Sequence, residues 1–217
     1  MNKFGRLSSL FLLKRLVGLL FGSKKKFRLG IYGPPNVGKT SIANKISVDW
    51  LGKEVGVVSD VPHETREVQE VEHLRLKEGS KELDINLIDT PGISTKVDYE
   101  DFLKYKLKRK DAKKRAMEAT KGIIEAIKWL DEMDAVLTVM DSTIDPYTQV
   151  NITILGNLEV RKIPVLVVAN KTDLKNSKVQ RIKNAFPQYK VVGVSAKNGD
   201  NFTEVYEAIF KLSKKVK

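Results

Sequence analysis

Cysteine is absent from the 217 residues, histidine and tryptophan occur twice each, and aromatic residues make up 7% of the chain. Without thiols there is no disulfide framework and no thiolate zinc site, which fits the cytosol. The two histidines, His63 and His73, belong to no cluster with metal-ligand spacing and read as surface or strand residues. Internal repeats and low-complexity tracts are missing as well. So is a membrane span: the longest apolar stretch, Leu7 to Phe21, is interrupted by Lys14 and Arg15 and falls short of the ~20 residues a bilayer requires. The same two charges break the apolar region of a secretory leader. Acidic residues are missing from the first 28 positions, where Lys3, Arg6, Lys14, Arg15, Lys24, Lys25, Lys26 and Arg28 carry +8 of the formal +12. An excess of that size and asymmetry points to an anionic partner surface, nucleic acid or acidic lipid.

What remains is enough for one substantial core, since 41% of the residues are hydrophobic. From residue 26 onward the chain alternates strand and helix. Apolar runs at 27–32, 83–89, 134–141, 164–171 and 191–196 read as strands, and 67–76 alternates polar and apolar like a half-exposed one. Helices are expected at 39–50, about 100–131, from after Pro146 to about Arg161, near 177–185 and from 201. This order implies an α/β fold, a mostly parallel sheet with helices on both faces, whose ligand sits outside the carboxyl ends of the strands. The domain division read from the sequence is a basic amphipathic helix at 1–25 and one α/β domain at 26–217.

Each sharp motif falls at such a strand end. GPPNVGKT, Gly33 to Thr40, fits G-x-x-x-x-G-K-[ST] between a strand and a helix. Glycines at Gly33 and Gly38 let backbone N–H groups wrap phosphates at the positive end of the helix dipole, with Asn36, Val37 and Ser41 among the nucleotide-binding residues. Lys39 would neutralise β- and γ-phosphate oxygens, and the Thr40 hydroxyl would ligate Mg²⁺. DTPG, Asp89 to Gly92, supplies a carboxylate that holds Mg²⁺ through water and a Gly92 N–H that senses the γ-phosphate. The base is chosen by NKTD, Asn170 to Asp173: a carboxylate accepts a pair of hydrogen bonds from guanine N1–H and the N2 amino group, and adenine offers no such pair. Asn170 would tie the base loop to the phosphate loop, and the Lys171 stem would cover the base. Twenty-five residues on, SAK (Ser195, Ala196, Lys197) ends the next strand, with the Ala196 N–H expected at guanine O6. Thr65 is the one threonine between residues 41 and 89, and is expected to complete the metal shell; its alternative is an ordinary surface loop.

The order GPPNVGKT, Thr65, DTPG, NKTD, SAK resembles the Era-like (TrmE–Era–Obg) group of translation-factor-related P-loop GTPases, over about residues 26–217. The resemblance implies a six-stranded Ras-like sheet, Mg²⁺ as cofactor, and hydrolysis of GTP with Lys39, Thr65 and Gly92 at the reacting phosphate. Two departures follow. Era proteins continue into a KH-type RNA-binding domain, whereas this sequence reads as a short form ending after its last helix. Ras-like proteins place a glutamine directly after D-x-x-G, where this chain has Ile93, as in the hydrophobic-substituted class. In relatives the residue matching Asn36 helps bind K⁺ beside the phosphates, which implies a slow, potassium-stimulated enzyme; the other reading of Asn36 is a loop-shaping residue.

Two basic segments have no place in the nucleotide site. DFLKYKLKRKDAKKRAMEATKGIIEAIKWL (101–130) is basic in its first half, while Ile123, Ile124, Ile127, Trp129 and Leu130 read as core-facing. Its charge is either a solvated helix face or a surface for RNA or acidic lipid. In the leader, Ser8, Lys14, Arg15 and Gly18 share one side of a helical wheel opposite a wide arc of leucines, Val17 and Phe21. That suits a peripheral anchor on the inner face of the cell membrane; the alternative is a helix packed on its own domain. Two roles are therefore open: a membrane-associated switch with an unknown protein effector, or a ribosome-assembly GTPase that meets rRNA.

Overall fold

The computed structural model describes residues 26–54, 56, 67–94, 97–105 and 108–216, so the leader 1–25 and Thr65 lie outside the described residues. Six strands form one sheet: β1 (Phe27–Tyr32), β2 (Gln69–Glu78), β3 (Lys81–Asp89), β4 (Ala135–Asp141), β5 (Val165–Asn170) and β6 (Lys190–Gly193). Their order is β2-β3-β1-β4-β5-β6, parallel throughout except for the β2–β3 pair. The helices are α1 (Lys39–Leu51), α2 (Tyr99–Leu103), α3 (Arg109–Trp129), α4 (Gln149–Val160), α5 (Val179–Ala185) and α6 (Phe202–Ser213). This is the six-stranded, Ras-like α/β architecture expected from the sequence, with one antiparallel edge. No helix among the described residues is long and apolar enough to cross a membrane.

Strand periodicity divides the core between the faces. Leu29, Ile31, Leu137, Val139, Leu166 and Val168 pack with Ile42 and Ile46 of α1 and Val205 and Ile209 of α6. Their alternating neighbours, among them Tyr32, Val136, Val167 and Ala169, face α3, α4 and α5 on the other side. The parallel register sets Ile31 opposite Asp89 and Asp141 opposite Asn170, which brings the carboxyl ends of four strands to one edge.

The structure departs from the expected elements in four places. The predicted helix over 100–131 is two: Lys108 is extended (φ −66°, ψ 150°) before α3 begins. Continuing through it would align Lys104 with Lys108 and Lys106 with Lys110, like charges four residues apart, whereas Asp111 favours a fresh N-terminus. Ile124 and Ile127 face solvent, and the packed side of α3 is Ala112, Ala119, Gly122 and Ala126. Consecutive isoleucines cannot share one helical stripe; Ile123 takes the inward place. The strand expected to 196 ends at Gly193, after which Ser195 makes an isolated bridge to Asp200. Finally, Val71 pairs with Leu87 and Leu74 with Ile85, so two residues oppose one: a bulge, with His73 left-handed at φ 65°. It keeps Val71, Leu74 and Leu76 on the core side despite their uneven spacing.

Candidate functional site

The turn after β1 closes against its neighbours by near contact of backbone. A Cβ on Gly33 would lie 2.4 Å from the Val139 carbonyl oxygen, and one on Gly38, which adopts φ 91°, would lie 2.3 Å from Asn170 Nδ2. Both positions require glycine. Between them Asn36 is left-handed (φ 59°) and exposed, and Val37 is buried. Lys39 opens α1, is 6% exposed, and donates from Nζ to the Pro34 carbonyl across the turn at 2.8 Å. Burial pushes its ammonium down to about 8 against the opposing pull of Asp89. A buried cation held by one carbonyl at a helix N-terminus is poised for an anion that would restore its ordinary affinity for the proton.

On the adjoining strand Asp89 is fully buried and accepts from Thr40 Oγ1 at 2.7 Å. Burial raises its carboxyl above the usual range, against Lys39 and the Thr40 and Thr90 hydrogen bonds. Its second oxygen, Oδ1, is buried with no hydrogen-bond partner. An all-oxygen pair with an orphaned carboxylate oxygen fits a hard divalent cation such as Mg²⁺, which takes one or two protein ligands and completes its shell with water and phosphate. No group of three or more His, Cys, Asp or Glu side chains among the described residues is arranged for a metal, as a protein-only cage would require.

The chain beyond Asp89 is strapped to the phosphate loop. Thr90 Oγ1 donates to the Ile31 carbonyl at 2.7 Å, and the Ile93 N–H donates to the Gly33 carbonyl at 3.1 Å. A Cβ on Gly92 would fall 2.8 Å from Pro35 Cα, so this glycine is needed for close approach. The Ile93 side chain turns into the core beside Tyr32 and Ile88. It presents no polar atom to a water molecule.

On the base side one side chain joins three segments. Asn170, 3% exposed, donates from Nδ2 to the Val37 carbonyl at 2.9 Å and accepts the Ala196 N–H on Oδ1 at 3.0 Å. The joint to the phosphate loop is as expected, and the same amide also holds the Ala196 N–H. Ser195 Oγ donates to Asp173 Oδ1 at 2.8 Å and accepts from the Asn198 N–H at 3.1 Å, orienting the carboxylate. Lys171, left-handed at φ 68°, pairs with Asp141 Oδ2 at 2.7 Å. Asp141 is half-buried, and the bonds from Lys171 and Thr143 outweigh that burial and hold its carboxyl below the usual range.

A cleft of about 810 Å³ runs from Asn36, Gly38 and Ser41 to Asn170, Asp173 and Lys197. It joins the phosphate and base motifs, so residues far apart in sequence form one wall. Sequence reasoning missed Asn44. On α1, its side chain makes a reciprocal pair with the backbone of Gly56, Nδ2 to the carbonyl at 2.8 Å and N–H to Oδ1 at 3.0 Å. An asparagine in mid-helix, where propensity gives no reason for it, was the only signal the sequence offered, and it did not show the partner.

Similarity to known proteins agrees with this geometry. The chain is 30% identical over 187 residues to GTPase Era of Geotalea daltonii, covering 83% of this chain and 53% of that protein. It is 30% identical over 194 residues to GTPase Der of Wolinella succinogenes, covering 86% and 36%. The chain thus spans about half or less of the length of these curated relatives. Among solved structures, Aquifex aeolicus Era bound to GDP·AlF4⁻ superposes with a TM-score of 0.66 at 23% identity, over 87% of this chain and 57% of that one. Era in complex with MgGDPNP and a 16S ribosomal RNA segment gives 0.66 at 25% identity, over 88% and 57%. The family model described as 50S ribosome-binding GTPase matches residues 28–171, and the chain belongs to that family.

Proposed function

We propose that the protein binds guanine nucleotides with Mg²⁺ and hydrolyses GTP to GDP and phosphate, acting as a slow molecular switch. The observation that carries this reading is Asp173, oriented by Ser195 at one end of a cleft whose other end is the phosphate-loop residues Asn36, Gly38 and Ser41, next in the chain to Lys39 and to Thr40 with its bond to Asp89. Asp173 selects guanine, Asn170 fixes its distance from the phosphate loop, and Lys197 and the Lys171 stem flank the base. Lys39 neutralises β- and γ-phosphate oxygens, and Gly92 meets the γ-phosphate from the opposite side. Mg²⁺, held by Thr40 and through water by Asp89, with Thr65 as the proposed second threonine, would withdraw charge from the transferred group. Ile93, turned into the core, offers no polar atom to orient the attacking water, so rate enhancement has to come from charge stabilisation, and we assign Asn36 to a K⁺ beside the phosphates. Faster turnover in K⁺ than in Na⁺ is expected; equal rates with GTP binding intact would remove the potassium role.

The test of the base assignment is Asp173→Asn. A carboxamide reverses one hydrogen-bond partner, so guanine binding should fall by about 100-fold or more while xanthine nucleotide binding rises. Unchanged preference for GTP over ATP and XTP would refute it.

Two settings for this switch each have an observation behind them. The family description and the Era complex with 16S ribosomal RNA favour a ribosome-assembly role. The acid-free leader favours peripheral attachment to the inner face of the cell membrane through residues 1–26, with a protein effector recruited there. Salt-sensitive copurification with ribosomal subunits supports the first setting; flotation with anionic liposomes that is lost on removing the leader supports the second.

A further inference from the structure

Helix α3 has a solvent face unlike an ordinary one. Viewed down its axis, Met117 and Ile124 lie on one line, and Lys110, Lys113, Lys114, Lys121 and Lys128 all fall within about 60° of it. All seven are exposed, Met117 by 63% and Ile124 by 51%. The three acids of the helix, Asp111, Glu118 and Glu125, are displaced to one flank, where Glu118 reaches Lys114 at 3.9 Å. The opposite side, Ala112, Ala119, Gly122 and Ala126, is packed on the domain. From Lys110 to Lys128 the face runs about 27 Å, straight and uninterrupted.

We propose that this face is a docking surface for an anionic lipid bilayer. Its charge complements a phosphate-bearing surface, and its chemistry selects among such surfaces. Every cation on it is lysine, with a long apolar stem and a compact charge. The helix's arginines lie off the face, Arg109 against Tyr99 at 5.8 Å and Arg115 half-buried. The helix itself places no aromatic residue on it; the nearest ring, the half-buried Tyr99 of α2, lies at its edge under Lys113 at 5.4 Å. RNA surfaces draw on guanidinium forks and rings for stacking, and exposed aliphatics on the midline gain nothing from a sugar-phosphate backbone. At a bilayer interface Met117 and Ile124 enter the headgroup region while the lysines extend outward around them to lipid phosphates. The leader's acid-free sequence carries charge of the same sign as this face. The surface is separate from the nucleotide cleft and from the anchor assigned to the leader.

The lack of native cysteine gives a direct test. Met117→Cys in the full chain carries the only thiol, and a polarity-sensitive fluorophore there reports this face alone. Phosphatidylserine-containing vesicles should shift its emission to the blue, phosphatidylcholine vesicles should not, and Lys113→Glu with Lys121→Glu should weaken the response by about tenfold or more. Lys77→Glu, on the exposed part of β2, serves as the control that leaves it intact. Retained GTP binding establishes that each variant is folded. If the chain floats with anionic vesicles while the fluorophore is unmoved, the leader alone anchors it and the proposal fails. A response to RNA but not to vesicles assigns the face to nucleic acid and overturns it equally.

Discussion

Replacing Asn170 by alanine tests the idea that one amide holds the two halves of the cleft together. The side chain is 3% exposed and forms one bond to each loop, to the Val37 carbonyl at 2.9 Å and from the Ala196 N–H at 3.0 Å. Its removal strands both groups. Each unpaired buried group costs about 1–3 kcal/mol, and Ala196 is only half-buried, so water recovers part of its share. The expected total is about 2–4 kcal/mol, divided between folding and nucleotide binding. If all of it fell on binding, affinity would drop about 30- to 800-fold. Titration of a fluorescent GDP analogue and denaturant unfolding of the nucleotide-free chain together measure the sum. Asn170→Asp keeps the acceptor for Ala196 but turns a carboxylate oxygen towards the Val37 carbonyl, so it should do no better than alanine. Retention of GDP affinity within about threefold, with unfolding changed by less than about 0.5 kcal/mol, would show that the joint contributes nothing and refute the reasoning.

Lys39→Met should abolish nucleotide binding yet stabilise the nucleotide-free chain by up to about 3 kcal/mol at pH 7, since burial holds the folded-state ammonium near 8 against an ordinary 10.5. The sign is set by proton uptake: between pH 8 and 10.5 the unfolded parent binds more protons than the folded one, so the parent gains stability with rising pH and the variant's advantage shrinks across that window, as unfolding at several pH values will measure. Asn44→Ala removes both bonds to Gly56 and should speed GDP release by about tenfold, with about 1 kcal/mol lost in unfolding; release at the parental rate would make the pair structural only.

The sequence was most legible where chemistry constrains backbone and side chain together. Lys39, Thr40, Asp89, Asn170 and Asp173 could be placed at strand ends because buried parallel strands are continuous apolar runs and the residues that follow them are polar and specific. The exposed isoleucines of α3 were misread because hydrophobicity alone does not say which stripe packs, and here alanines and a glycine form the packed side. The destination of the Ala196 N–H depends on where Asn170 sits in three dimensions, 26 residues away in the chain. Asn44 was overlooked because its partner is backbone at Gly56, which carries no side-chain pattern to search for.

The bulge at Glu72–His73 has a consequence for comparing this chain with its relatives. It adds one residue to β2 between Val71 and Leu74, while the two-residue turn at Gly79–Ser80 closes the hairpin onto Lys81. A homologue with a straight β2 would therefore carry one residue fewer between the head of the strand and that turn, with no change at either end. An alignment that opens its gap at 72–73 keeps Leu74 and Leu76 matched to inward positions and Arg75 to an outward one. A gap placed in the turn instead, where insertions are usually assumed, would match lysines and arginines of one protein to core leucines of the other. Apparent loss of hydrophobic character along this edge would then be an artefact of register, not a change of fold.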